Sequence, residues 1–166
     1  MIGNNITDRH CLAAAVLIFG FVLMTAPLDG VTIDATGDWG LSIGREDLAG
    51  GAGSDLRENF ESSPDASTVD IGDTSGGTWS VTVRRSGVEW PEEARMYVRR
   101  TSTGTFDEDQ TISGGTAYQE ITLTDSFLFQ GSGDGSGVTL QYRVTGVSVS
   151  TSAGIYDTTL HLEITE

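Results

Sequence analysis

From residue 31 to residue 43 apolar and polar positions alternate without a break. Val31, Ile33, Ala35, Trp39, Leu41 and Ile43 share one parity with Gly37, while Thr32, Asp34, Thr36, Asp38 and Ser42 share the other with Gly40. A period of two puts successive side chains on opposite faces of an extended chain. The stretch therefore predicts one antiparallel strand, or two strands joined by a bend at Gly37, with one face on a core and the other in water. The same period returns at Trp79, Val81 and Val83, at Val138, Leu140, Tyr142 and Val144, and at Leu160, Leu162 and Ile164. Further candidate strands cover 67–71, 94–100, 118–123 and 127–129.

Turn signals separate nearly all of these segments: Ser75-Gly76-Gly77, Ser113-Gly114-Gly115 and the glycine-rich run 131–137 (GSGDGSG). Two copies of Ser-Gly-Gly-Thr, at 75–78 and 113–116, have unlike surroundings and read as two independent turns leading into strands, not as a repeat. The one helical candidate, 45–60, holds three glycines and little 3.6 periodicity, so it is expected to be a long loop with one helical turn at most. About eight short strands with glycine turns and almost no helix predict an all-β fold, an immunoglobulin-like or Greek-key antiparallel β-sandwich. A closed barrel is the alternative architecture.

One segment breaks the alternation. Residues 11–24 (CLAAAVLIFGFVLM) are continuously apolar and follow a short polar stretch containing Arg9. Fourteen apolar residues suit a secretory signal, whereas a bilayer-crossing helix needs about 20. Residues 1–30 are accordingly expected to be a signal peptide cut near 26–30, with a retained signal-anchor as the alternative, and 31–166 to be a single domain. Membrane contact is expected only through this leader, and the mature chain is placed outside the cytoplasm, secreted or on the cell surface. Cys11 is preceded by Asp-Arg-His and not by a lipoprotein pattern, and it is the chain's one cysteine, so the mature region has no disulfide and no thiolate metal site.

Charge narrows the function classes. The chain carries nine basic residues, all arginine, against 24 acidic ones, for a formal charge of -15. Such a surface argues against nucleic acid and anionic lipid as partners. The absence of lysine excludes Schiff-base chemistry and lysine–asparagine isopeptide links. Abundant aspartate without lysine also fits a protein of high-salt habitats, and plain acidic solubility explains the same numbers.

The C-terminal third carries a resemblance. Residues 138–149 (VTLQYRVTGVSV), the turn Ala153-Gly154-Ile155-Tyr156 and the strand pattern 158–165 (TTLHLEIT) resemble the ending of secreted pilin-like and spore-coat-U-like β-sandwich proteins. Residues 79–102 with 113–122 are similar to uncharacterised exported prokaryotic proteins of this size. The resemblance implies a secreted sandwich that assembles by strand exchange, although many chaperone-assisted pilins carry a disulfide that this chain cannot form. Residues Val31, Ile33 and Ala35 form the tentative assembly strand, which could complete the open sheet edge of a neighbouring copy. The competing reading makes them the first strand of their own sheet.

Candidate chemistry is sparse. His161 is the one histidine of the mature region, and no Gly-x-Ser-x-Gly turn accompanies it. The carboxylate pairs Glu92-Glu93 and Asp107-Glu108-Asp109 read as chance runs of an acidic protein, since adjacent carboxylates in a strand point to opposite faces. Calcium is the one cofactor with suitable oxygen ligands, at Asp70, Asp73, Asp107, Asp109 and Asp134, yet no calcium-loop pattern is matched. Arg84, Arg85, Arg95, Arg99 and Arg100 lie near Glu89, Glu92 and Glu93 and read as cross-strand charge pairs. Trp90, before Pro91, is the candidate exposed binding aromatic. No catalytic, cofactor or metal residue is assigned. The expectation is a non-enzymatic structural subunit that associates with itself or other surface proteins, and the alternative is a carbohydrate- or polymer-binding module.

Overall fold

A computed structural model of the chain describes residues 15–21, 30–87 and 90–166. The described residues form thirteen strands and one 3-10 turn, Arg45–Asp47. The strands are β1 (Ala15–Phe21), β2 (Thr32–Gly37), β3 (Trp39–Ile43), β4 (Asn59–Glu61), β5 (Ser67–Gly72), β6 (Thr78–Ser86) and β7 (Arg95–Arg100). They continue with β8 (Thr105–Phe106), β9 (Ile112–Gly114), β10 (Gln119–Glu120), β11 (Ser126–Ser132), β12 (Gly135–Thr145) and β13 (Ile155–Thr165). Sheet A has the order β3-β1-β13-β6-β11-β9 and sheet B the order β10-β7-β12-β5-β2. In sheet B, β4 and β5 lie end to end along one side of β12, and β8 and β7 along the other.

The fold is all-β, two antiparallel sheets in a sandwich, and among the described residues only the β1–β13 pair runs parallel. Two sheets with separate edges replace the closed barrel. The alternation explains the core. On β6, Trp79, Val81 and Val83 point inward, and on β12 Val138, Leu140, Tyr142 and Val144 meet them from the facing sheet. Val69, Val81, Val98, Phe129, Val138, Leu140 and Val144 are 0% exposed, and each such side chain contributes about 1.5–3 kcal/mol when taken fully out of water. Tyr142 reaches the core edge, where its hydroxyl meets Ser67 Oγ at 2.9 Å and its ring stacks on Trp39 at 6.4 Å between centroids.

The sequence undercounts the strands, because β4, β8, β9 and β10 are two or three residues long and too short for a period to show. The run 131–137 is mostly strand: β11 ends at Ser132 and β12 begins at Gly135, so only two residues of GSGDGSG make the turn. Ser113-Gly114-Gly115 closes β9 and leads into no strand at once, whereas Ser75-Gly76-Gly77 does lead into β6. Residues 45–60 are a loop with one 3-10 turn and the start of β4. The expected leader 1–30 lies outside the described residues, apart from β1 and Gly30.

Candidate functional site

The two flanks of the sandwich are each made by one segment that passes between sheets. On the first flank residues 32–43 supply β2 to sheet B and β3 to sheet A, and the bend is at Gly37, as the pattern predicts. Gly37 has φ +116°, and a Cβ there would stand 2.4 Å from the Ala66 carbonyl oxygen, so glycine alone fits. Since inward means the same side before and after the bend, Ile33 and Ala35 stay buried on β2 and Leu41 and Ile43 on β3. Val31 packs against the same core. The tentative assembly residues are thus placed within the protein's own sheet, where β2 pairs with β5 from Thr32↔Gly72 to Gly37↔Ser67. Along its other backbone edge β2 has no hydrogen-bonded strand among the described residues, and β3 ends sheet A in the same way.

On the second flank residues 112–120 pass from β9 in sheet A to β10 in sheet B. Here Arg100, only 6% exposed, ties the sheets together. Its Nε donates to the Gly114 carbonyl at 3.0 Å and its Nη1 to the Ser102 carbonyl at 2.8 Å, while its backbone N–H donates to Gly115 O at 2.6 Å. Burial lowers the pKa of this guanidinium, which makes no ion pair among the described residues. Arg100 occupies an inward position of β7, after Met96 and Val98, which period two would assign to an apolar residue.

Beside the first flank lies an open groove of about 450 Å³ bordered by Asp34, Asp70, Asp107 and Asp134, with Phe106 at its wall. It brings together three of the five candidate calcium ligands, Asp70, Asp107 and Asp134, and one oxygen each of Asp70 and Asp134 is engaged. Asp134 Oδ1 accepts from Thr74 Oγ1 at 2.6 Å and Thr74 N at 2.9 Å, which holds its carboxyl below the usual range. Asp70 Oδ1 accepts from Gly137 N at 2.7 Å, and Asp73 Oδ2 from Thr32 Oγ1 at 3.1 Å. Among the described residues no group of three or more His, Cys, Asp or Glu converges as metal ligands.

Of the five arginines expected to pair with Glu89, Glu92 and Glu93, only Arg84 and Arg95 form ion pairs among the described residues, and with acids from other strands and loops. Arg84 meets Asp125 at 3.3 Å, Arg95 meets Glu120 at 3.5 Å and Arg143 meets Glu61 at 2.6 Å. Arg99 and Arg143 lie over the Tyr118 ring at 4.6 and 3.7 Å, and burial, helped by Glu61, pushes that phenol up. Trp90 is half-buried against the core. Its Nε1 donates to Ala94 O at 2.8 Å and the Arg85 guanidinium sits 5.2 Å from its ring centroid, so a stacking ligand would compete with Arg85 for that face. Glu89 lies outside the described residues.

His161 Nε2 sits 2.7 Å from Ser86 Oγ, a contact that two separate strand patterns could not announce. Desolvation, with Arg84 adding and Asp125 opposing, lowers the imidazole pKa. A nucleophilic triad needs an acid on the other ring nitrogen. Here Nδ1 is buried without a hydrogen-bond partner and Asp125 is engaged by Arg84. Glu92-Glu93 and 107–109 fall on turns outside the strands. Among the described residues no helix is long and apolar enough to cross a membrane. No protein-family model matches the chain, and no curated protein sequence matches it.

Proposed function

We propose that the protein is a secreted or cell-surface structural subunit, not an enzyme, whose β-sandwich associates with further copies of itself by strand addition. The inequality of the two flanks carries this reading. The β2 and β3 edges run for 6 and 5 residues, against 3 and 2 for β9 and β10. An edge of five or six residues presents a row of N–H and C=O groups to another chain, whereas very short edge strands blunt such pairing. The tentative strand Val31, Ile33 and Ala35 then acts as a receiving edge and not as a donated segment.

Light scattering after size exclusion, with electron microscopy of the same fractions, tests this on the full chain. Going from 0.1 to 1 M salt shortens the screening length from about 10 Å to about 3 Å, so association of this acidic chain should rise. Thr36→Asp and Ser42→Asp place like charges beside the long edges and should weaken association, while Ser113→Asp on the short flank should not. A monomer at both salt concentrations overturns the reading.

One observation favours a carbohydrate-binding module as the second reading. Thr78, Ser80, Thr111, Ser113, Gln130 and Ser132 line one open groove with groups of the kind that hold sugar hydroxyls. A glycan array on the full chain and on Gln130→Ala tests it.

A further inference from the structure

We infer that residues 15–21 are a working strand of the folded protein, and that the gap they fill between β3 and β13 is a binding site for one extended apolar segment running parallel to β13. The segment lies in the run that reads as an export leader, and a leader is cut away. The sheet tells against its loss. Strand β1 pairs with β13 over six positions, Val16↔Ile155 to Phe21↔Leu160, and with β3 over five, Ala15↔Ile43 to Phe19↔Trp39. It is the sole link between them: β3 has no other ladder partner among the described residues.

Removing β1 leaves β3 and β13 two strand spacings apart, about 9.5 Å, where they cannot hydrogen-bond directly. Closing the gap would need β3 to move about 5 Å, one strand spacing. Strand β3 is held against that movement: one residue, Asp38, joins it to β2, which is laddered to β5 in the other sheet. Leu41 and Ile43 are already committed to the core from their present position. The gap therefore persists as an unfilled slot with backbone groups on both sides.

The composition of the filler suits this position. Residues 15–21 (AVLIFGF) hold no charged or hydrogen-bonding side chain, so a strand made of them gains little from an edge in water and most from a place between two others. The inference goes beyond the self-association reading and does not depend on it, because the β2 edge and the β1 slot are separate.

The experiment uses the full chain. Hydrogen exchange of the amides of residues 15–21 should be slowed at least 100-fold relative to an unfolded peptide; exchange at the unfolded rate overturns the inference. A protease site placed within 22–29 then allows the folded chain to be cut. The N-terminal fragment should co-elute with the remainder, and Ile18→Pro, which removes a strand amide, should release it. A synthetic peptide of residues 15–21 with Ser and Glu flanks should compete with the fragment in a saturable way, and the peptide carrying Ile18→Pro should not. Separation of the uncompeted fragment on cutting, with no change in the unfolding temperature of the remainder, also overturns the inference. Failure of the chain to oligomerise leaves each of these readouts intact, so the two readings fall separately.

Discussion

The two flanks of this sandwich solve one problem in opposite ways. At each, one segment leaves one sheet and joins the other, turning on glycine: Gly37 at the first, Gly114 and Gly115 at the second. The second flank is short and stitched, with β9 and β10 held to β7 by Arg100, by its backbone bond to Gly115 and by the Ile121 amide donating to Met96 O at 2.8 Å. The first is longer, carries its own apolar pairs Ile33/Ala35 and Leu41/Ile43, and has backbone edges with no strand beyond them among the described residues. An edge can thus be closed by making it too short to pair or kept long at the risk of pairing. This molecule does one on each side.

Substitutions can break that contrast, the largest effect first. Gly37→Val forces a β-branched residue to φ +116° and drives its Cβ into the Ala66 carbonyl, a cost of about 3 kcal/mol or more. Gly115→Ala, at φ +73° with its nearest contact at 3.1 Å, should cost about 1–2 kcal/mol. Denaturant midpoints measured side by side check the ranking. Arg100→Met keeps most of the stem and strands two carbonyls, so a loss of about 2 kcal/mol is expected, visible as a lower thermal midpoint.

Between the flanks, His161 gives the sandwich a sensitivity to acid. Its folded pKa lies below the unfolded value of about 6.5, so the unfolded chain takes up a proton that the folded chain refuses. Its contribution is present above about pH 6.5 and is lost as the pH falls towards the folded value. His161→Gln should flatten the stability-against-pH curve in that window, as read by urea unfolding at pH 5 and 7. Smallest is Asp34→Asn. Asp34 and Asp70 stand directly opposite on β2 and β5, and removing one charge should stabilise the first flank by about 0.5 kcal/mol at low salt and less at high salt.

The long strands and the Gly37 bend were legible because burial on one face leaves a period of two wherever a strand exceeds about five residues. Residues 31–43 show this best: one uninterrupted parity served two strands in two sheets. Strands β8 and β10 are two residues each and leave no period. Arg100 was read as a surface cation because its type outweighed its parity, although Met96, Val98 and Arg100 are spaced alike. The Ser86–His161 contact and the acidic groove join residues 75 and more than 60 positions apart, so only register brings them together. The apolar run 11–24 carries no period of its own, because a secretory leader and a strand covered on both faces share one composition.

The position of β13 sets the order in which this protein can come into being. Sheet A is two pieces, β3-β1 and β6-β11-β9, and β13 alone joins them. In order of synthesis it is the last of the described strands, and its residues pair with segments 70 and more than 130 positions earlier. Sheet A therefore stays in two pieces until β13 emerges, whereas sheet B needs nothing beyond β12, and the loop-closure entropy of the distant pairings of sheet A falls due late. One face of the sandwich can thus set before the other, and the second waits on a single strand.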